Sequence, residues 1–186
     1  MNMKTELEKM KSGELFDYMD ADVQRSMKHA KDLCARLQGM SLYDPDYWKV
    51  ISDLIPGIPE SVKICPPFYC DHGHTITLGE GVFVNYNCTF LDGGTICIGK
   101  HTLIGPNCQL YTPHHPLDYV ERREAKEYDL AITIGEDCWL GGGVIVCPGV
   151  KIGNRCIVAA GSVVTKDVPD DSLVAGNPAV IKRKMQ

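Results

Sequence analysis

The chain has 186 residues, 44% of them apolar and 23% charged, with a formal charge of −5. That length makes one domain of ordinary size, whose core needs neither disulfide nor metal, and the apolar share excludes a disordered chain. The acidic balance argues against a general binder of nucleic acid or of anionic membranes. The nine cysteines stand singly, with no CxxC pair, so a zinc ribbon or a thioredoxin-like site has no support. The N-terminus Met1–Lys9 carries charges where a signal peptide needs apolar residues. The longest core-like run without charge, Cys138–Val150, holds four glycines and a proline and is too short for a bilayer. A cytoplasmic protein with reduced thiols is the expectation.

Residues 1–58 read as a helical segment. From Asp20 onward, Val23, Met27, Ala30, Cys34 and Leu37 recur at the spacing of one helix face. Asp44–Pro45 is a start signal, an N-cap oxygen followed by a preset φ. Trp48, Ile51, Leu54 and Ile55 continue one face until Pro56-Gly57-Ile58-Pro59 stops it. Helices this short need a larger body to pack on.

Residues 59–186 keep a period of six. Aliphatic residues fall at Ile134, Leu140, Val146, Ile152, Val158 and Val164. Upstream the same spacing holds at Leu78, Val84, Phe90 and Ile96 and, after a two-residue slip, at Ile98, Ile104 and Leu110. A small or slim residue follows four places later, at Val82, Cys88, Thr102, Cys108, Cys138, Val144, Val150, Cys156 and Ser162. Neither the helical period nor the strand period produces this. A hexapeptide repeat predicts a mainly β fold, a parallel β-helix in which six residues make one flat side and three sides make one coil. The slim position stacks on its equivalents above and below, so Cys88, Cys108, Cys138 and Cys156 read as small core residues.

Residues 111–131 break the rule with a polar, charged segment that must leave the coil as a loop. It carries His114 and His115 between Pro113 and Pro116, which restrict the backbone around them. A rigidly held neutral imidazole is a good general base near neutral pH. The other histidines, at 29, 72, 74 and 101, form no recognisable ligand set, and no metal is expected.

Several stretches together resemble the maltose and galactoside O-acetyltransferase family. They are the hexapeptide coil, His115-Pro116-Leu117-Asp118, the ending from Val174 through Asn177-Pro178 to Arg183, Pro66-Pro67-Phe68-Tyr69-Cys70-Asp71, Asn85 to Asp92, and the opening Gly13-Glu14-Leu15-Phe16. The resemblance covers nearly the whole chain. It implies a left-handed coil, a homotrimer, and active sites in clefts between neighbouring subunits. It also implies acetyl transfer from acetyl-coenzyme A to a sugar hydroxyl, commonly the 6-OH, by direct attack. By the same match His115 is the catalytic base. Asp71, Asn85 and Asp92 face the acceptor. Asn85, Trp139, Gly142, Ala160, Thr165, Lys166 and Arg183 border the coenzyme, and the run Gly141-Gly142-Gly143 lets a thioester approach the coil closely enough for a backbone N–H near Gly142 to hold the oxyanion. The basic C-terminal tail, 178–186, suits the coenzyme's phosphates. Three departures stand out. Gly93 replaces an acidic residue of the galactoside branch, Val180 replaces an arginine, and an N-terminal aspartate of that branch aligns with Tyr18, beside Asp17.

Other readings of the same coil are a non-sugar acceptor such as serine, an antibiotic or a nucleotide-linked sugar, and a non-catalytic scaffold. A zinc hydratase of the γ-type carbonic anhydrase kind needs three converging histidines, and the spacing of His101, His114 and His115 does not supply them.

Overall fold

Three helices precede the coil in the computed structural model, which describes residues 3–185. Helix α1 (Glu6–Ser12) begins with a reciprocal cap. The Thr5 hydroxyl accepts the Glu8 N–H, and the Glu8 carboxylate accepts the Thr5 N–H. A two-residue strand, β1 (Phe16–Asp17), follows. Helix α2 (Ala21–Leu37) starts where Asp20 accepts the N–H groups of Asp22 and Val23. It buries Val23, Ala30, Leu33, Cys34 and Leu37. Helix α3 (Tyr47–Leu54) begins at Tyr47 rather than at Pro45. The Asp44 carboxylate instead closes a turn by accepting the Asp46 N–H, so the start signal marks the turn before the helix. The Tyr47 hydroxyl donates to the Ile64 carbonyl at 2.9 Å and accepts the Ile64 N–H at 3.1 Å, which ties α3 to the first coil.

The body is a left-handed parallel β-helix of about six turns. The first coil comprises β2 (Lys63–Ile64), β3 (Phe68–Cys70) and β4 (Ile76–Leu78). The second comprises β5 (Phe83–Val84), β6 (Cys88–Leu91) and β7 (Ile96–Ile98). The third opens with β8 (Leu103–Ile104) and β9 (Gln109–Tyr111), sends out an excursion containing β10 (Pro113–His114) and β11 (Lys126–Asp129), and closes with β12 (Ile132–Ile134). Above it lie β13 (Trp139–Leu140), β14 (Ile145–Val146) and β15 (Lys151–Ile152), then β16 (Ile157–Val158) and β17 (Val163–Val164), with Val168 bridging to Ile152. Strand β18 (Ser172–Gly176) begins the last turn, and β19 (Ala179–Lys184) folds back antiparallel on it. The basic tail is therefore an ordered edge strand over most of its length. Equivalent strands stack in parallel to make three faces. No helix among the described residues is long and apolar enough to cross a membrane.

Every aliphatic residue of the six-residue series is buried, from Leu78 to Val164. Each fully buried side chain of this size contributes about 1.5–3 kcal/mol, so the stacked column is the main source of stability. The slim positions have a second task. Cys88, Cys108 and Cys138 donate their thiol protons to the carbonyls of Gly105, Gly141 and Gly153 at 3.3, 3.2 and 3.0 Å, and Thr102 donates to that of Gly135 at 2.8 Å. A slim side chain with a donor thus satisfies a carbonyl where the next coil turns. At such turns Asn107 and Asp137 adopt φ of 59° and 55°, a region these two residue types tolerate.

The excursion after Tyr111 differs from the loop expected over 111–131. Strand β11 pairs antiparallel with β10 on one edge and with β1 on the other. A small three-stranded sheet results, and it fastens the N-terminal segment to the coil. Two-residue strands leave no periodic trace in a sequence, because the pairing is set by the body that presents them.

Candidate active site

Two corners of the prism carry the groups of chemical interest. At the corner between the first and second faces, Asn85, Gly105–Pro106, Gly141–Gly142 and Ala159–Ala160 stack one above another. With Trp139 and Ile157 they line a groove of about 480 Å³. Glycine is required here by close approach: a Cβ on Gly105 would lie 2.6 Å from the Gly142 nitrogen, and one on Gly141 2.6 Å from that of Ala160. Gly141 and Gly143 donate to Val158 and Pro106, while the N–H of Gly142 has no backbone acceptor among the described residues.

The corner between the second and third faces is longer than a hexapeptide allows in the first three coils. It consists of Asp71–Thr75, then Asp92–Thr95, then the excursion after Tyr111. Asp92 is fully buried. Its carboxylate accepts the N–H groups of Asp71 and His72 at 2.9 Å and the Thr75 hydroxyl at 2.6 Å. This corrects the expectation that Asp92 faces an acceptor: its oxygens are spent on holding the corner that presents Asp71. Asp71 itself is half-buried, and burial first, then the Asp92 charge, raise its carboxyl to about 6 against the pull of Lys31.

His115 stands over this corner. Its ring meets Tyr18 edge-on, with centroids 6.4 Å apart, and its Nε2 lies 3.6 Å from Glu127 Oε2. Glu127 is largely buried, and that desolvation raises its carboxyl, with His115 opposing and Asp71 adding to the shift. The residues after His115 hold it in place. Arg122 donates to the carbonyls of Pro116 and Leu117, and the Asp118 carboxylate accepts the N–H groups of Val120 and Glu121 to start a short 3₁₀ turn. His114 lies in register with Tyr128 in the small sheet and is exposed.

The sequence-predicted residues fall into separate groups. Asn85, Trp139, Gly142 and Ala160 share the groove. Asp71 and His115 belong to the other corner, one face away. Thr165 and Lys166 are exposed at that second corner in the fifth coil, and Arg183 is exposed on β19 opposite Leu173. Asp17 accepts the N–H of its own neighbour Met19, so Tyr18, and not Asp17, is the N-terminal residue packed on His115. Sequence reasoning missed Tyr18 as a ring against His115, and missed Glu127. The one available signal was the polar–polar–aromatic–polar stretch Lys126–Asp129 directly before the coil resumes. His72 Nδ1 and His74 Nε2 both contact the Ser26 hydroxyl, at 2.9 and 2.8 Å. No group of three potential metal ligands occurs among the described residues.

Residues 131–166 match the family model described as bacterial transferase hexapeptide (six repeats). A galactoside O-acetyltransferase of Lactococcus lactis is 34% identical over 174 residues, spanning 92% of this chain and 84% of that protein. A maltose O-acetyltransferase of Clostridium difficile superposes with a TM-score of 0.95 at 34% identity, covering both chains completely. A hexapeptide-repeat acetyltransferase of Vibrio cholerae, solved with acetyl-coenzyme A, gives a TM-score of 0.92 at 40% identity over 98% of this chain and 100% of that one.

Proposed function

Since the chain belongs to the maltose and galactoside O-acetyltransferase family of hexapeptide-repeat acetyltransferases, we propose that it moves acetyl from acetyl-coenzyme A to a hydroxyl of a maltose-, glucose- or galactoside-type sugar, commonly the 6-OH. The observation that carries the reading is the corner where His115, Glu127, Tyr18 and Asp71 converge.

The neutral imidazole of His115 takes the hydroxyl proton as the sugar oxygen attacks the thioester carbonyl carbon. The Glu127 carboxylate, at 3.6 Å, is beyond hydrogen-bond range of the resting ring but close enough to stabilise the imidazolium that forms. The thioester oxygen gains the negative charge, and the unpaired Gly142 N–H supplies a donor for it. Collapse expels the thiolate of coenzyme A, which recovers the proton from His115. No acyl-enzyme is needed. Asp71 and Asn85 are the acceptor-side groups, since carboxyls and amides suit paired hydroxyls. Trp139 and Ala160 flank the pantetheine arm, while Thr165, Lys166 and Arg183 serve the phosphate end.

The base and the groove lie on different corners of one chain, and this separation supports the homotrimer: a second copy has to bring one corner to the other. Leu103 and Trp139 on the first face, with Val180 and Ile181 on β19, are half-exposed apolar side chains that such a copy would cover. The test is release of free thiol from acetyl-coenzyme A in the presence of maltose, glucose, a thiogalactoside, serine or chloramphenicol. Release that needs both a sugar and His115 is the expected result. Release with serine or chloramphenicol alone would move the acceptor class, and silence with every acceptor would favour a scaffold.

A further inference from the structure

Asp129 ends the strand that carries Glu127, and it is 1% exposed. Its carboxyl lies where a side chain on Gly93 would point, and a Cβ on Gly94 would come within 2.9 Å of its main-chain oxygen. The two glycines are thus a cradle for this residue. Few donors are within reach of the carboxyl. The shorter contact of the Thr112 hydroxyl is its donation to the Leu91 carbonyl at 2.8 Å, and it accepts the Gly94 N–H at 2.9 Å. The same hydroxyl lies 3.4 Å from Asp129 Oδ1, beyond the usual range of an O–H···O bond, so its one proton makes it at best a weak, shared donor to the carboxyl. Asp129 Oδ2 is buried without a partner. An ionised carboxylate here would be a buried acceptor with one long, shared donor and one oxygen without any, which is the costly arrangement.

We propose that Asp129 is a positioning residue: as a buried neutral carboxylic acid, it seats the strand bearing Glu127 on the Gly93–Gly94 corner and so holds Glu127 beside His115. The groups facing it are Glu127 on its own strand, Asp71 and Asp92 on the first two coil corners, and the Thr112 hydroxyl. Lys11 at the end of α1 is the single cation lining the 330 Å³ cavity to which Asp129 contributes. Burial, then Glu127, raise the carboxyl to about 8, with Asp71 and Asp92 adding and Thr112 opposing. Above that pH the acid ionises, and a second negative charge appears beside Glu127.

The role in catalysis rests on His115 acting as base, but the protonation does not, so the test has two arms. Infrared difference spectroscopy of Asp129→Asn against the unmodified protein reads the acid directly. A protonated-carboxyl band is expected at neutral pH, vanishing above about pH 8 and absent from the variant. A spectrum without that band would overturn the proposal whether or not acetyl transfer is observed. In the activity arm, kcat of the unmodified enzyme falls on the alkaline side. Asp129→Asn, whose amide fills the same space but never ionises, keeps kcat and loses the fall. Asp129→Leu lowers kcat severalfold at all pH values with the KM for acetyl-coenzyme A unchanged. An alkaline fall that is the same in Asp129→Asn would contradict the positioning role.

Discussion

Cys138 is the residue that most invites a redox or covalent reading, because it lies one residue before Trp139 of the groove. Its thiol is buried, donates to the Gly153 carbonyl, and is pushed up to about 11 by desolvation before any other influence. A thiol held so far above neutral pH is a structural group. Cys138→Ser, which keeps a slim donor, is predicted to retain acetyl transfer within a few-fold, as measured by thiol release, and complete loss would point to a thiol mechanism. Asp129 gives the clearest linkage between pH and stability. In the unfolded chain an aspartate titrates near ~3.9, whereas burial raises this one to about 8 in the fold. The folded state therefore binds the extra proton between these values, and its stability falls as pH rises across that window. Denaturant unfolding from pH 5 to 8 should show a slope approaching ~1.4 kcal/mol per pH unit from this group, and Asp129→Asn should remove it.

At the scale of the element, each coil depends on a filled column and on corners without side chains. Leu140→Ala is predicted to cost about 2–5 kcal/mol in denaturant unfolding, the range for a truncated core leucine. Gly99→Ala acts differently: its Cβ would sit 2.6 Å from the Glu136 nitrogen of the coil above, so the coils must part. It is predicted to lower the melting temperature where Gly39, whose added Cβ would meet only the Arg36 carbonyl oxygen at an ordinary 4.0 Å, tolerates alanine. These elements were legible in the sequence because one inward residue per six is a constraint imposed locally and repeated in every coil. The small sheet of β1, β11 and β10 was not legible. Its strands are set by where the coil releases and recaptures the chain. For the same reason Asp92 read as a group facing an acceptor. An aspartate at a corner that serves sugar and one that serves the N–H groups of Asp71 and His72 look alike until the corner is folded. The rigid setting of the histidine pair was legible because two prolines bracket it, whereas the choice of His115 over His114 rests on the family resemblance.

At the scale of the molecule, an acidic chain handling a phosphate-bearing coenzyme must concentrate positive charge. Lys182, Arg183 and Lys184 lie along β19, exposed at the edge of the first face. Arg183→Glu is predicted to raise the KM for acetyl-coenzyme A several-fold with little change in kcat, the effect shrinking at high salt as screening grows. An unchanged KM would move the phosphates elsewhere. The central claim is that acetyl transfer needs the His115 corner of one copy and the Gly142–Ala160 groove of another. Two variants test it: His115→Ala, lacking the base, and Ala160→Trp, with the groove filled. Each alone is predicted to lose activity by two or more orders of magnitude, about the contribution of a positioned base. Coexpressed, so that the copies mix within one assembly, they should recover sugar-dependent thiol release, because some sites then pair an intact histidine with an intact groove. Mixed assemblies as inactive as either variant alone would contradict the account.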